Sequence, residues 1–144
     1  MKRRLFLKYG LGGAALLGLS GAGLSLQSGR SAPLPKGGLK ALTPSQWSTL
    51  VYAAAVINPG SASLPSSDQL STPTKLDALV ASLHPDLQAE IGLILNLVEN
   101  PVAGVLFDGR FKPFSALSEP ERVAAIKAWQ GSRLSVRRAA MKAL

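Results

Sequence analysis

The strongest constraint on this chain is a repeated start signal in which a small polar residue is followed by proline at the head of an apolar run. In "TPSQ", Thr43 is a helix N-cap, Pro44 suits the first turn because its missing N–H has no partner there, and Gln46 completes a capping box. Trp47, Leu50, Val51, Ala54 and Ile57 then share one face, and Asn58-Pro59-Gly60 ends the helix. Ser118-Glu119-Pro120-Glu121 is a second capping box, opening a helix that presents Val123, Ala125, Ile126 and Trp129 before Gly131 closes it. Ser132 or Ser135 starts a last helix through Arg137, Arg138 and Met141 to Leu144.

Between these lies a Ser-, Pro- and Thr-rich surface loop, Ser61 to Thr74, out of which Thr72-Pro73 begins a second helix with Leu76, Leu79, Val80 and Leu83 on its apolar side. His84-Pro85 breaks it, since a residue before proline avoids the α region. A third helix runs from about Asp86 to Glu99, and its "EIGLILNLVEN" is apolar around most of the circumference. Such a helix is central or packs against another protein, with Ile91, Ile94, Leu95 and Val98 as the docking residues in the second case. "VAGVLFDGRFKPFSAL" is expected to be irregular, with a turn at Asp108-Gly109. No strand-like alternation of useful length occurs, so the expected class is all-α: a small bundle of about four to five helices after an N-terminal signal helix and a flexible linker. The division is 1–32 for the leader, 33–42 for the linker and 43–144 for the helical domain; the Ser-, Gly- and Pro-rich stretch Ser28 to Lys40 is the flexible part.

The 144 residues include no cysteine. Disulfides, thiolate zinc sites, iron–sulfur clusters and covalent c-type haem attachment are excluded, and stability must come from an apolar core. The formal charge of +8 is concentrated early: five of the 16 basic residues precede Pro33, so the remaining 11 face 8 acidic residues for a net of +3. Little in the body suggests chemistry. His84 is the only histidine and is expected at a helix end. Asp77, Asp86, Glu90 and Glu99 are explained as solvated faces or charges favoured by a helix N-terminus, and the Glu-x-x-His spacing of bundle metal sites is absent. "GLGGAALLG" from Gly10 has no strand before it, and neither Gly-x-Ser-x-Gly nor a Walker lysine is present. No catalytic, cofactor-binding or metal-ligating residue is expected. Arg133, Arg137, Arg138 and Lys142 make one basic face, read as solvated or paired with a partner's carboxylates; nucleic acid is not the expected partner, because no aromatic platform accompanies it. Trp47 and Trp129 sit at core spacing.

The first thirty residues have the layout of an export leader: a basic start, an uncharged stretch from Tyr9 to Gly29, and small residues at the exit. Gly10, Gly12, Gly13, Gly18, Gly21 and Gly23 dilute that stretch below a committed membrane span. Arg3-Arg4-Leu5-Phe6-Leu7-Lys8 resembles the twin-arginine (Tat) motif, departing from it only at Lys2, where Ser or Thr is usual. Arg3, Arg4, Phe6 and Leu7 are the targeting residues, the Tat translocase is the implied first partner, and the destination is the periplasm, with inner-membrane association left open. Ser20 and Ala22 offer small residues for cleavage, while Gln27 to Pro33 lacks Ala-x-Ala; an uncleaved anchor stays open.

A Tat signal, "LTPSQWSTLVYAAAVINPG", an apolar helix ending in "LVENP", and "FSALSEPERVAAIKAWQGSRLSVRRAAMKAL" together resemble the gluconate 2-dehydrogenase subunit 3 family and the gamma subunits of glucose, fructose and sorbitol dehydrogenases. The resemblance covers most of the exported part and is most specific in "LSEPER" and the Trp, Ser and Arg-Arg that follow; the chain departs from it in ending at Leu144, where relatives commonly continue to a Tyr-Pro-Gly-Pro-like end. It implies an accessory subunit without a catalytic role, bound to a large flavoprotein of the glucose-methanol-choline (GMC) type, aiding its maturation and supplying its export signal. FAD would belong to the partner, and some such complexes add a cytochrome c subunit. The competing expectation, from another class, is a free-standing periplasmic helical module that binds a small ligand or a membrane surface.

Overall fold

A computed structural model describes residues 29–135, 137 and 138 of the chain. Five α-helices account for its regular structure: α1 Pro44–Ile57, α2 Thr72–Ser82, α3 Pro85–Glu99, α4 Pro101–Asp108 and α5 Glu119–Gln130, with a 3-10 turn at Phe114–Ala116 before α5. Among the described residues there is no strand, and the fold is an all-α bundle. Each of the five helices carries proline in its first two positions. Ser135, Arg137 and Arg138 are helical too, so a last helix begins where expected.

The start signals act as their chemistry demands. Thr43 Oγ1 accepts from the Gln46 N–H at 3.3 Å while Gln46 Oε1 accepts from the Thr43 N–H at 3.0 Å. At α5 the Glu121 carboxylate accepts from both the Ser118 N–H (2.8 Å) and hydroxyl (2.9 Å), and those two bonds hold its pKa below the ordinary glutamate value. His84 is the N-cap of α3, its mostly exposed ring facing the Asp86 N–H at 3.4 Å. Helix α4 corrects the expectation of an irregular segment. Asn100 Oδ1 accepts from the Val102 N–H at 2.8 Å, and Gly109, at φ 65°, closes the helix in the left-handed conformation. Its 8 residues span too few turns to build a period of apolar spacing, so only the end signals betray it.

Two apolar clusters share α1 and α3. One gathers Ala53, Val98, Phe114, Leu117, Ala125, Ile126 and Trp129; the other gathers Leu42, Leu50, Val80 and Leu95. The pair can approach closely because Gly92 leaves room for Gln46, whose Nε2 donates to the Gly92 carbonyl at 3.3 Å. Helix α3 is therefore central, the first of its two expected roles. The inward faces of two other helices differ from expectation. In α2 the buried residues are Pro73, Asp77 and Val80, and Leu79, 200° round an ideal helix from Asp77, turns outward. In α5 the buried stripe is Arg122, Ala125, Ile126 and Trp129, leaving Val123 half-buried. Ile57, expected inside, is exposed at the end of α1.

Candidate functional site

The least expected structure lies at residues 29–42, where composition suggests a flexible linker. Its two ends are fastened to the bundle. At the first, the Arg30 N–H donates to Ser115 Oγ at 2.9 Å, the Ala32 N–H donates to Ser48 Oγ at 2.9 Å, and Trp47 Nε1 donates to the Pro33 carbonyl at 3.0 Å. Ala32 is buried beneath these bonds. Ser48 Oγ gives its own proton to the Pro44 carbonyl at 2.9 Å, which leaves its lone pairs for Ala32. Proximity is tight at Gly29, where an added Cβ would overlap Glu99 Oε1 and Ser115 Oγ, so a larger residue would have to push these side chains aside.

Ser115 is held in turn by Glu99. The Glu99 carboxylate accepts from the Ser115 hydroxyl, from the Ser115 N–H at 3.0 Å and from Thr49 Oγ1 at 3.0 Å. This corrects the view of Glu99 as a solvated charge: it ties α1, α3 and the 3-10 turn together. Arg122 completes the support, donating from Nη2 to the Ser115 carbonyl at 2.7 Å with its guanidinium 4.0 Å above the Tyr52 ring. Burial lowers the Arg122 pKa from its ordinary value, and an arginine remains charged nonetheless.

The second fastening is Asp77. Its carboxylate accepts three consecutive amides, Lys40 (2.7 Å), Ala41 (3.0 Å) and Leu42 (2.9 Å), and the residue is 2% exposed. Burial pushes the Asp77 pKa up, but the three amides and the Lys40 charge outweigh it, and the net shift is below the ordinary aspartate value. Asp77 too departs from the solvated or helix-terminal position expected of it. Between the fastenings the chain turns at Pro35–Gly38, where the Gly38 N–H meets the Pro35 carbonyl at 2.9 Å and Lys36, Gly37 and Gly38 are exposed.

The residues singled out from sequence fall elsewhere. Leu95 and Val98 are enclosed by the chain's own core, at 0% and 2% exposure, while Ile91 and Ile94 are partly buried against it. Helix α3 also bears Leu87 and Leu93, both exposed. The basic face does not form as one surface. Arg133 and Arg138 are exposed, but Arg137 is buried with its guanidinium 4.8 Å above the Trp129 ring; Lys142 lies outside the described residues, as do Arg3, Arg4, Phe6 and Leu7. A small apolar pocket between α1 and α2 is lined by Leu50, Ala54, Ile57 and Leu76 among others. Among the described residues no three His, Cys, Asp or Glu side chains converge as a metal site, and no helix is long and apolar enough to cross a membrane.

Asp77, Glu99 and Arg122 are what the sequence reading missed. The signal for Arg122 was present, since it completes an i, i+3, i+4, i+7 stripe with Ala125, Ile126 and Trp129. The polar groups of the seat converge on backbone N–H and C=O groups, so its chemical capacity is to hold an extended peptide. Comparison with family profiles, with curated proteins and with solved structures finds no match to this chain.

Proposed function

We propose that this chain is a non-catalytic accessory subunit that binds a GMC-type flavin dehydrogenase oxidising a sugar, an alcohol or gluconate, aids its maturation, and carries it through the Tat translocase to the periplasm. The observation that carries the reading is the junction between leader and body. A chain headed by Arg3-Arg4-Leu5-Phe6-Leu7-Lys8 has the last residues of its leader, Arg30 and Ala32, hydrogen-bonded onto a folded bundle at Ser115 and Ser48. A twin-arginine leader suits a cargo folded before export, and a leader tied to a folded body moves with that body. The resemblance of "LSEPER" and the arginines beyond it to the small dehydrogenase subunits supports the same reading, with FAD in the partner and a cytochrome c subunit as a further member of some complexes.

Docking on α3 falls to its exposed leucines, because Leu95 and Val98 are committed to the core and Ile91 and Ile94 pack partly against it. Leu93 on the outward side and Leu87 in the first turn supply the exposed apolar surface of this helix. A free-standing periplasmic binding module is the competing reading, and the apolar pocket lined by Leu50 and Leu76 is the observation in its favour. Purification separates the two. The full chain, tagged and purified from its native cells, is expected to bring down a large protein with flavin absorbance in a defined ratio; recovery of the chain as a lone soluble monomer favours the module.

A further inference from the structure

We propose that folding of the bundle locks the exit of the leader: Gly29–Pro33, seated on Trp47, Ser48 and Ser115, is withheld from processing proteases, so no cut falls within this segment and any leader cleavage lies before Gly29. The inference rests on the export reading of the leader.

A protease must draw several residues of its substrate into an extended, accessible backbone, which is why nicking concentrates at open loop tips. In Gly29–Pro33 two amides and one carbonyl are already bound, at 2.9 to 3.0 Å, and Ala32 is buried at 6% exposure. The seat itself is supported from behind by Glu99 and Arg122, which fix Ser115 through its hydroxyl, its N–H and its carbonyl. Release therefore requires breaking the three bonds together, and the closeness of Gly29 to the Glu99–Ser115 pair leaves little room for partial slippage. Only a folded bundle brings Ser48 of α1 and Ser115 of the 3-10 turn to the same strap, since they are far apart in the chain. The lock thus distinguishes a folded body from an unfolded one.

Trypsin provides the test with an internal control, because Lys36 and Arg30 both expose their side chains, but Lys36 stands in the turn between the fastenings while the Arg30 backbone is bound in the seat. On the full-length chain, the initial cut after Arg30 is expected to be slower than that after Lys36 by about tenfold or more, the free energy of opening the seat being set against none. A Ser48→Ala, Ser115→Ala double variant should speed the Arg30 cut by a similar factor while the bundle still unfolds cooperatively. Hydrogen exchange needs no variant: the Arg30 and Ala32 amides should be protected relative to that of Ser31. Arg30 cut as fast as Lys36 in the wild-type chain, or unprotected Arg30 and Ala32 amides, would overturn the lock. The intact mass of the exported chain is a further arm; an N-terminus at or before Gly29 agrees with the proposal, and one at Arg30 to Leu34 contradicts it. Trypsin and exchange are read on purified chain, so failure of the lock leaves the export reading standing, and failure of export leaves the lock standing.

Discussion

Replacing Leu95 by alanine is expected to lower the unfolding free energy by about 3 kcal/mol, the cost of removing a fully enclosed leucine and leaving a cavity that the helices around it cannot wholly fill. Leu95 is 0% exposed and packs with Leu42, Leu50 and Val80, drawing on α1, α2, α3 and the segment ahead of α1. A domain of this size holds only about 5–15 kcal/mol in all, so the loss is a large share of its stability. Leu93→Ala on the same helix, at 66% exposure, should change stability by less than about 0.5 kcal/mol. Urea unfolding followed by the fluorescence of Trp47 and Trp129 measures both. The contrast also bears on docking. A Leu95→Ala chain with unchanged stability but weakened capture of the flavoprotein would return Leu95 to the interface.

Asp77→Ala should cost about 3 kcal/mol, because three amides lose their acceptor where water does not replace it readily. The loss arises without any apolar contact being the main casualty, so it probes the fastening at Lys40–Leu42 directly. The same carboxylate makes stability depend on pH, with a definite sign. Its folded-state pKa lies below the ordinary value of 3.8, so its contribution is complete above that value and is lost as pH falls through the folded pKa. Wild-type stability is therefore expected to fall as acid is added below about pH 4, and an Asp77→Asn chain to fall less steeply over that window. Glu121, also shifted down, titrates in the same window in both chains, so their difference isolates Asp77. Parallel acid profiles for the two would show that the three amides do not favour the charged form.

Helix starts were legible because they are local. A hydroxyl or amide side chain and a proline within four residues specify the heads of α1 and α5, whatever lies beyond. The missed helix, α4, was marked by the same chemistry in Asn100-Pro101 and Gly109 but lacked the length for periodicity to register. The seat was not legible, for a different reason. Whether Glu99 is solvated depends on Thr49 and Ser115 arriving beside it, 50 and 16 residues away in the chain, and Asp77 meets amides 35 to 37 residues away. Backbone acceptors and donors have no signature in side-chain identity, and a Ser-, Gly- and Pro-rich segment has the same composition whether free or seated. Rotation of α2 illustrates the outcome: the amides draw Asp77 inward, and Leu79 is displaced to the surface.

The most direct measurement of the central claim is the flavin dehydrogenase activity of the periplasm in cells whose chain carries Arg3→Lys and Arg4→Lys together. Paired lysines keep the charge and remove the feature that distinguishes a twin-arginine leader. The expected result is loss of periplasmic activity with the flavoprotein retained in the cytoplasm; undiminished periplasmic activity would contradict the role of this chain as its carrier.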